Sequence, residues 1–96
     1  MAKGYWIAQI DVTDPDNYPK YKAAASAAIE KFGGAYLIRG GRCEAVEGSS
    51  SRSRQVIIEF ESYDQAMACY RSPEYQAAAA LRQAAADGEV LVLEGV

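Results

Sequence analysis

The sequence predicts an α+β fold, one antiparallel sheet with helices on a single face. Three observations carry that expectation. Four stretches alternate with the period of two that a strand imposes, two longer stretches repeat apolar residues at helical spacing, and the order is strand, helix, strand, strand, helix, strand. Of the 96 residues, 50 % are apolar and 24 % charged, which suits one globular domain over residues 1–96.

Residues 3–12 read as the first strand: Trp6, Ala8, Ile10 and Val12 share one face, while Tyr5, Ile7, Gln9 and Asp11 share the other. Residues 13–17 form a turn leading into a helix, since Asp and Thr side chains cap free N–H groups and Pro15 has the φ of a first helical residue. Pro19 leaves two starts open. Either Pro15 makes a short turn and the helix begins near Pro19, or one helix tolerates Pro19 with a hydrogen bond missing. Tyr18, Tyr21, Ala25, Ala28, Ile29 and Phe32 then form an apolar stripe on a helix ending near Lys31, which Gly33-Gly34 stops through a left-handed cap. The tyrosines of that stripe are expected in the core with their hydroxyls at its rim.

Ala35 to Arg39 is the second strand, with a bulge expected at Gly40-Gly41 and residues 42–47 continuing the strand beyond it. Residues 48–53 are a polar loop, either a plain connection or a lid over a binding site. Arg54 to Phe60 is the third strand, with Val56, Ile58 and Phe60 on a wholly apolar face and Gln55, Ile57 and Glu59 on a mixed one. Ser62 caps the next helix and Gln65 completes a capping box, with Ala66, Met67 and Tyr70 inward. Ser72-Pro73-Glu74 supplies a fresh cap and a first-turn proline, so this helix is kinked or broken at Ser72. Tyr75, Ala78, Ala79 and Arg82 continue it until Asp87-Gly88. Residues 89–94 are the fourth strand, with Val90 and Val92 on one side and Leu91 and Leu93 on the other.

Right-handed crossovers then return both helices to the same side, a ferredoxin-like βαββαβ arrangement. The helix-covered face takes Trp6, Ala8, Ile10, Val56, Ile58 and Phe60. The open face presents Tyr5, Ile7, Gln9, Ile57 and Glu59 with Leu37 and Arg39, too apolar to stand in water and too polar for a dry core. A second copy is expected against it.

Several function classes are excluded. A formal charge of −3 gives no general attraction to nucleic acid or to an anionic membrane. RNA-binding domains share this element order, but here the exposed side of the third strand offers Gln55, Ile57 and Glu59, none of which stacks a base. No histidine is present, so histidine-based nucleophile systems, His-ligated haem and the common His-containing zinc sites are unavailable within one chain. Cys43 and Cys69 lack CxxC spacing and fit reduced thiols. With no apolar run of about 18 residues and no charged-then-apolar leader, a cytoplasmic protein without a membrane span or signal peptide is expected.

Gly33-Gly34, Arg39-Gly40-Gly41, Arg54 with Val56-Ile57-Ile58-Glu59-Phe60, and Tyr70-Arg71-Ser72-Pro73-Glu74-Tyr75-Gln76 followed by Arg82 together form an ordered set of motifs. Over nearly the whole chain this set closely resembles the bacterial domain-of-unknown-function family numbered 1330, in the dimeric α/β barrel superfamily. The resemblance implies that two copies pack their open sheet faces into a barrel-like core with a cavity in or beside it, and it implies no reaction. Superfamily relatives include cofactor-independent oxygenases, lactone isomerases and haem enzymes, but fold-level analogy does not transfer function. Two positions depart from the family pattern. Glu61 stands where proline is frequent and Cys69 where tryptophan is frequent, and a lost indole beside Tyr70 would reshape a pocket.

Enclosure by a partner would make Glu59 and Arg39 partly buried charges that must pair or shift their pKa. In the catalytic reading Glu59 is a general base, Arg39 or Arg54 anchors a carboxylate or enolate, Tyr5 and Gln9 orient a small ligand, and Tyr70 or Tyr75 donates a proton. That set suits cofactor-free proton transfer, isomerisation or oxygenation of a small carbonyl compound, with an unidentified small molecule and a second copy as the partners. In the other reading a Glu59–arginine salt bridge only fixes dimer register, in a non-catalytic binding or assembly module. Arg71 and Arg82 read as solvated helix residues and Cys69 as a packing residue. Glu44 and Glu47 supply too few ligands for a cation, so neither metal nor cofactor is expected.

Overall fold

A computed structural model describes residues 2–49 and 52–96. The elements are β1 (Gly4–Val12), α1 (Tyr18–Lys31), β2 (Ala35–Arg39), β3 (Arg54–Phe60), α2 (Tyr63–Arg71), α3 (Pro73–Ala85) and β4 (Ala86–Glu94). The strands form one sheet in the order β2-β3-β1-β4 with every neighbouring pair antiparallel, the arrangement expected from the element order. Trp6, Ala8, Ile10, Val56, Ile58 and Phe60 are buried under the helices, as their parity requires. Trp6 is the centre of this core. Its indole N–H donates to Ala66 O at 2.9 Å, and its ring lies 4.6 Å from Tyr75 and 5.2 Å from Phe60. Buried alanines at 25, 28, 78 and 79 keep the facing surfaces of α1 and α3 small, which lets the two helices lie against one another.

The helix ends show which of the competing signals prevail. Helix α1 begins at Tyr18, so Pro19 falls in the first turn, where its missing N–H would have had no partner anyway. The preceding turn is held by Asp14, whose carbonyl accepts from Tyr18 N at 3.0 Å and whose carboxylate accepts from the Asn17 side-chain amide at 2.7 Å. Ser72 ends α2 and starts α3: its hydroxyl donates to Cys69 O at 2.7 Å and accepts from Tyr75 N at 3.2 Å. The capping box at Ser62 is half formed. Ser62 Oγ accepts from Gln65 N, but the Gln65 amide turns away to Phe32 O at 2.9 Å and ties α2 to the end of α1.

Two expectations about the strands are corrected. Asp87-Gly88 does not end a helix: Ala86 is already extended, and Asp87 and Gly88 pair with Asp11 and Ile10 within β4. Gly88 serves close approach there, since a β-carbon would overlap Gln9 O on β1. Residues 42–47 do not continue β2 as a strand.

The bulge lies at Leu37 rather than at Gly40-Gly41. Tyr36 pairs with Ile58, but the next pairs are Ile38 with Ile57 and Arg39 with Val56, so one extra residue stands on β2. Every side chain beyond the bulge therefore changes face. Ile38 joins the open face, and Arg39 moves to the helix-covered side beside Val56. Gly40, at φ +73°, makes the left-handed turn out of the strand. The loop read as a lid includes Ser50 and Ser51, which lie outside the described residues.

Candidate functional site

A cleft opens between the sheet and the helices α1 and α3, with a cavity of about 30 Å³. Ala8, Ile10, Val56 and Ile58 form its floor, and Trp6, Tyr18, Tyr21, Tyr36 and Tyr75 its walls. Three cations border it: Lys22 from α1, Arg39 from β2 and Arg54 from β3. No carboxylate is among the described residues that line it. In an acidic chain this is a local reversal of charge.

Each cation is placed by its strand or helix. The bulge carries Arg39 to the mouth, where its guanidinium lies 4.1 Å from the Tyr36 ring centre and donates to Ser26 Oγ at 2.9 Å. Arg54 shares the parity of Val56 and Ile58 and so points under the helices, 5.7 Å from the Tyr18 ring centre. Its guanidinium rests on Gly40, where a β-carbon would overlap it. Arg54 Nε is buried with no hydrogen-bond partner. Burial pushes the Tyr18 hydroxyl above its ordinary pKa, with Arg54 acting in the opposite direction.

Behind the cleft Arg82 is 7 % exposed, and its Nη1 donates to the Tyr75 hydroxyl at 2.7 Å. This corrects the reading of Arg82 as a solvated residue. The Tyr75 and Tyr21 hydroxyls are 2.9 Å apart. One hydroxyl proton bridges those two oxygens and Arg82 fills an acceptor position on Tyr75, so the second hydroxyl proton of the pair points elsewhere. Burial drives the Tyr75 pKa strongly upward, which keeps it protonated. Tyr75 therefore cannot serve as a base near neutrality.

The residues singled out from the sequence thus fall into two groups. Arg39, Arg54 and Tyr75 come together at the cleft. Tyr70 backs it, with its ring 5.5 Å from Tyr75 and 5.9 Å from Trp6. Tyr5, Gln9 and Glu59 lie on the opposite face of the sheet. There the Tyr5 hydroxyl donates to Glu59 Oε2 at 3.0 Å, a bond that raises the Tyr5 pKa. Lys22, Tyr36 and Arg82 were not foreseen as site residues. The parity of Arg54 with Val56 is the signal that places a charge on the covered face.

On the open face the register aligns Ile38, Ile57, Ile7 and Leu91 in one row across all four strands. Ile38 is 44 % exposed and Leu91 53 %. A polar row, Gln55, Gln9 and Glu89, flanks it on one side, and a mixed row, Ala35, Glu59, Tyr5 and Leu93, on the other. Among the described residues no three His, Cys, Asp or Glu side chains gather as metal ligands would. No helix among them is long and apolar enough to cross a membrane.

The family model described as Domain of unknown function (DUF1330) matches residues 3–96. No curated protein matches the chain. Among solved structures, a protein of unknown function from Rhodopseudomonas palustris is similar at a TM-score of 0.78 and 20 % identity, covering 99 % of this chain and 83 % of that one. SnoaB, a cofactor-independent oxygenase from Streptomyces nogalater, is similar at 0.61 and 10 % identity, covering 97 % and 92 %. A dimeric ferredoxin-like protein of unknown function from Thermobifida fusca is similar at 0.55 and 14 % identity, covering 99 % and 92 %. At these identities the likeness is one of fold.

Proposed function

The chain belongs to the DUF1330 family, and from that premise we propose that it is a cytoplasmic homodimer whose cleft binds a small carbonyl compound and stabilises its enolate, for cofactor-free isomerisation or oxygenation. One observation carries this reading: three cations and a pair of tyrosine hydroxyls converge on an aromatic cleft that no carboxylate among the described residues lines. Fixed positive groups in a largely water-free site favour the negative charge that develops on a carbonyl oxygen as an enolate forms. Arg54 holds that oxygen, a hydroxyl of the Tyr21–Tyr75 pair donates to the same region, Arg39 and Lys22 border the mouth, and the α-proton leaves to solvent or a buffer base, because no carboxylate among the described residues lines the cleft. The open-face residues Tyr5, Gln9 and Glu59 take a separate part. They flank an exposed apolar strip, continued by Leu93, of the kind that a second copy covers.

Solvent-deuterium exchange tests the chemistry. Small ketones and keto acids incubated with the protein in deuterated buffer are expected to exchange α-protons faster than in buffer alone, and Arg54→Gln is expected to remove the excess. Exchange at the buffer rate for every compound would overturn the catalytic reading. Sedimentation tests the assembly, with a dimer expected at micromolar concentration and Leu91→Asp, at the β4 end of the apolar row, shifting it to monomer.

The non-catalytic alternative rests on an observation of its own. Proton abstraction needs a base, and the carboxylate considered for that role, Glu59, is on the far side of the sheet from the cleft. If ligands bind and no exchange follows, the same cleft is that of a binding module.

A further inference from the structure

We infer that the cleft takes a small planar aromatic carboxylate, its carboxylate on Arg54 and its ring among Tyr18, Trp6 and Tyr75. This rests on reading the cleft as the ligand site, and it narrows the ligand from carbonyl compounds at large to one charge and one shape. Two independent observations point to the charge. Arg54 Nε is buried without an acceptor, and a guanidinium N–H closed off from water is poorly tolerated unless something accepts from it. Position 40 is a glycine at φ +73° that leaves open the space which the Arg54 guanidinium occupies, so the backbone is shaped around that fork.

The surroundings select the form of the anion. Guanidinium presents a planar fork that matches the two oxygens of a carboxylate. A phosphate fits the same fork, but the cleft adds none of the free backbone N–H groups that phosphate sites at helix N-termini supply: those of Tyr18 and Tyr75 are taken by Asp14 O and Ser72 Oγ. A neutral ketone would leave the Arg54 charge uncompensated. The walls select the shape: Tyr18 lies under the Arg54 guanidinium, and Trp6 and Tyr75 meet edge to face with ring centres 4.6 Å apart, so the lining is aromatic. The cavity of about 30 Å³ holds a water or two, so a ring enters as the exposed side chains of Lys22 and Arg39 swing outward from the mouth.

Calorimetric titration of the dimer with benzoate, benzamide, acetate and inorganic phosphate tests this. Benzoate is expected to bind at least about tenfold more tightly than benzamide, which keeps the ring without the charge, or acetate, which keeps the charge without the ring. Arg54→Gln is expected to remove that preference, so that benzoate binds no more tightly than benzamide. Arg54→Lys, which keeps the charge without the fork, is expected to fall between them and provides the reading if the glutamine variant does not fold. Equal affinity for benzoate and benzamide, no benzoate binding by the folded protein, or tighter binding of phosphate would overturn the inference. Benzoate binding with no proton exchange on any ketone supports it and defeats the catalytic reading above. Exchange on neutral ketones with no affinity for benzoate does the reverse.

Discussion

Arg82 donates to the Tyr75 hydroxyl across 2.7 Å, and both side chains are closed off from solvent. The guanidinium stays charged at any ordinary pH, so its environment must supply acceptors. Tyr75 is one, and the Tyr21 ring, its centre 5.8 Å from the guanidinium carbon, offers its negative face as well. Tyr75→Phe keeps the ring and removes the acceptor, leaving a buried N–H unpaired, and is expected to cost about 1–3 kcal/mol of stability. Adding Arg82→Met is expected to recover part of that loss, because then neither partner is left wanting the other. Urea denaturation of the single and double variants measures both. A double variant no more stable than Tyr75→Phe alone would show that Arg82 does not depend on this bond.

Asp11 supplies a pH dependence on the opposite side of the sheet. Its carboxylate accepts from Ser53 N at 2.9 Å, from Arg52 Nη1 at 3.1 Å and from Ser53 Oγ at 3.0 Å, and these bonds hold its pKa below the ordinary 3.8. The folded state therefore favours the ionised form. The resulting stabilisation is fully present above pH 3.8 and is lost as the pH falls through the lower folded value. Asp11→Asn is expected to flatten the acid limb of the stability profile and to leave the slope near neutrality unchanged. Denaturation midpoints across the acid range check it. An unchanged acid limb would mean that the bonds from Arg52 and Ser53 do not persist in solution.

The two cysteines are expected to separate in reactivity. Cys43 is exposed, whereas Cys69 is fully buried and burial pushes its thiol up to about 12. Thiolate is the reactive species, so Cys69 is inert near neutrality on two counts, access and ionisation. Mass spectrometry after iodoacetamide treatment is expected to find Cys43 modified in the native protein and both in denaturant. The same burial makes Cys69→Trp an overpacking change, since the site closes on the Cys69 side chain with its sulfur 3.8 Å from Ala28 O.

Most of the fold was legible in the sequence because the strand faces obey simple parity. Trp6, Ala8 and Ile10 alternate without interruption, as do Val56, Ile58 and Phe60, and they are buried as that alternation requires. Element ends were less legible where two local signals competed. Asp87-Gly88 has helix-stop composition, yet pairing with Asp11 and Ile10 on β1 makes those residues strand. Gln65 has capping-box spacing, yet Phe32 O offers its amide a tertiary partner. The candidate site was half legible. Arg39, Arg54 and Tyr75 were named, but Arg39 was assigned to the wrong face because nothing in Ala-Tyr-Leu-Ile-Arg marks Leu37 as the extra residue. Glycine drew the expected bulge to position 40, whereas the register moves three residues earlier. Arg82 was missed because a charged residue at helical spacing reads as solvated unless its acceptor, here the hydroxyl of Tyr75 seven residues back, is known.

The bulge at Leu37 makes a claim about energetic coupling that can be measured directly. Were β2 regular, Arg39 would stand opposite Gln55 on the open face, the face that also holds Glu59. With the extra residue it stands beside Val56, and the sheet itself separates it from Glu59. Arg39 has its own contacts in the Tyr36 ring and Ser26 Oγ, and Glu59 has its own in the Tyr5 hydroxyl. Residues that share no partner and lie on different faces behave additively. The Arg39→Gln and Glu59→Gln changes are therefore expected to combine in a double-mutant cycle with a coupling below about 0.5 kcal/mol. Tyr5→Phe with Glu59→Gln serves as the comparison, since those two groups share a bond and their effects are expected not to add. A coupling between Arg39 and Glu59 above about 1 kcal/mol would mean that the two share a face and interact across it. Arg39 would then leave the mouth of the cleft, and the cleft would keep only Lys22 and Arg54 as its cations.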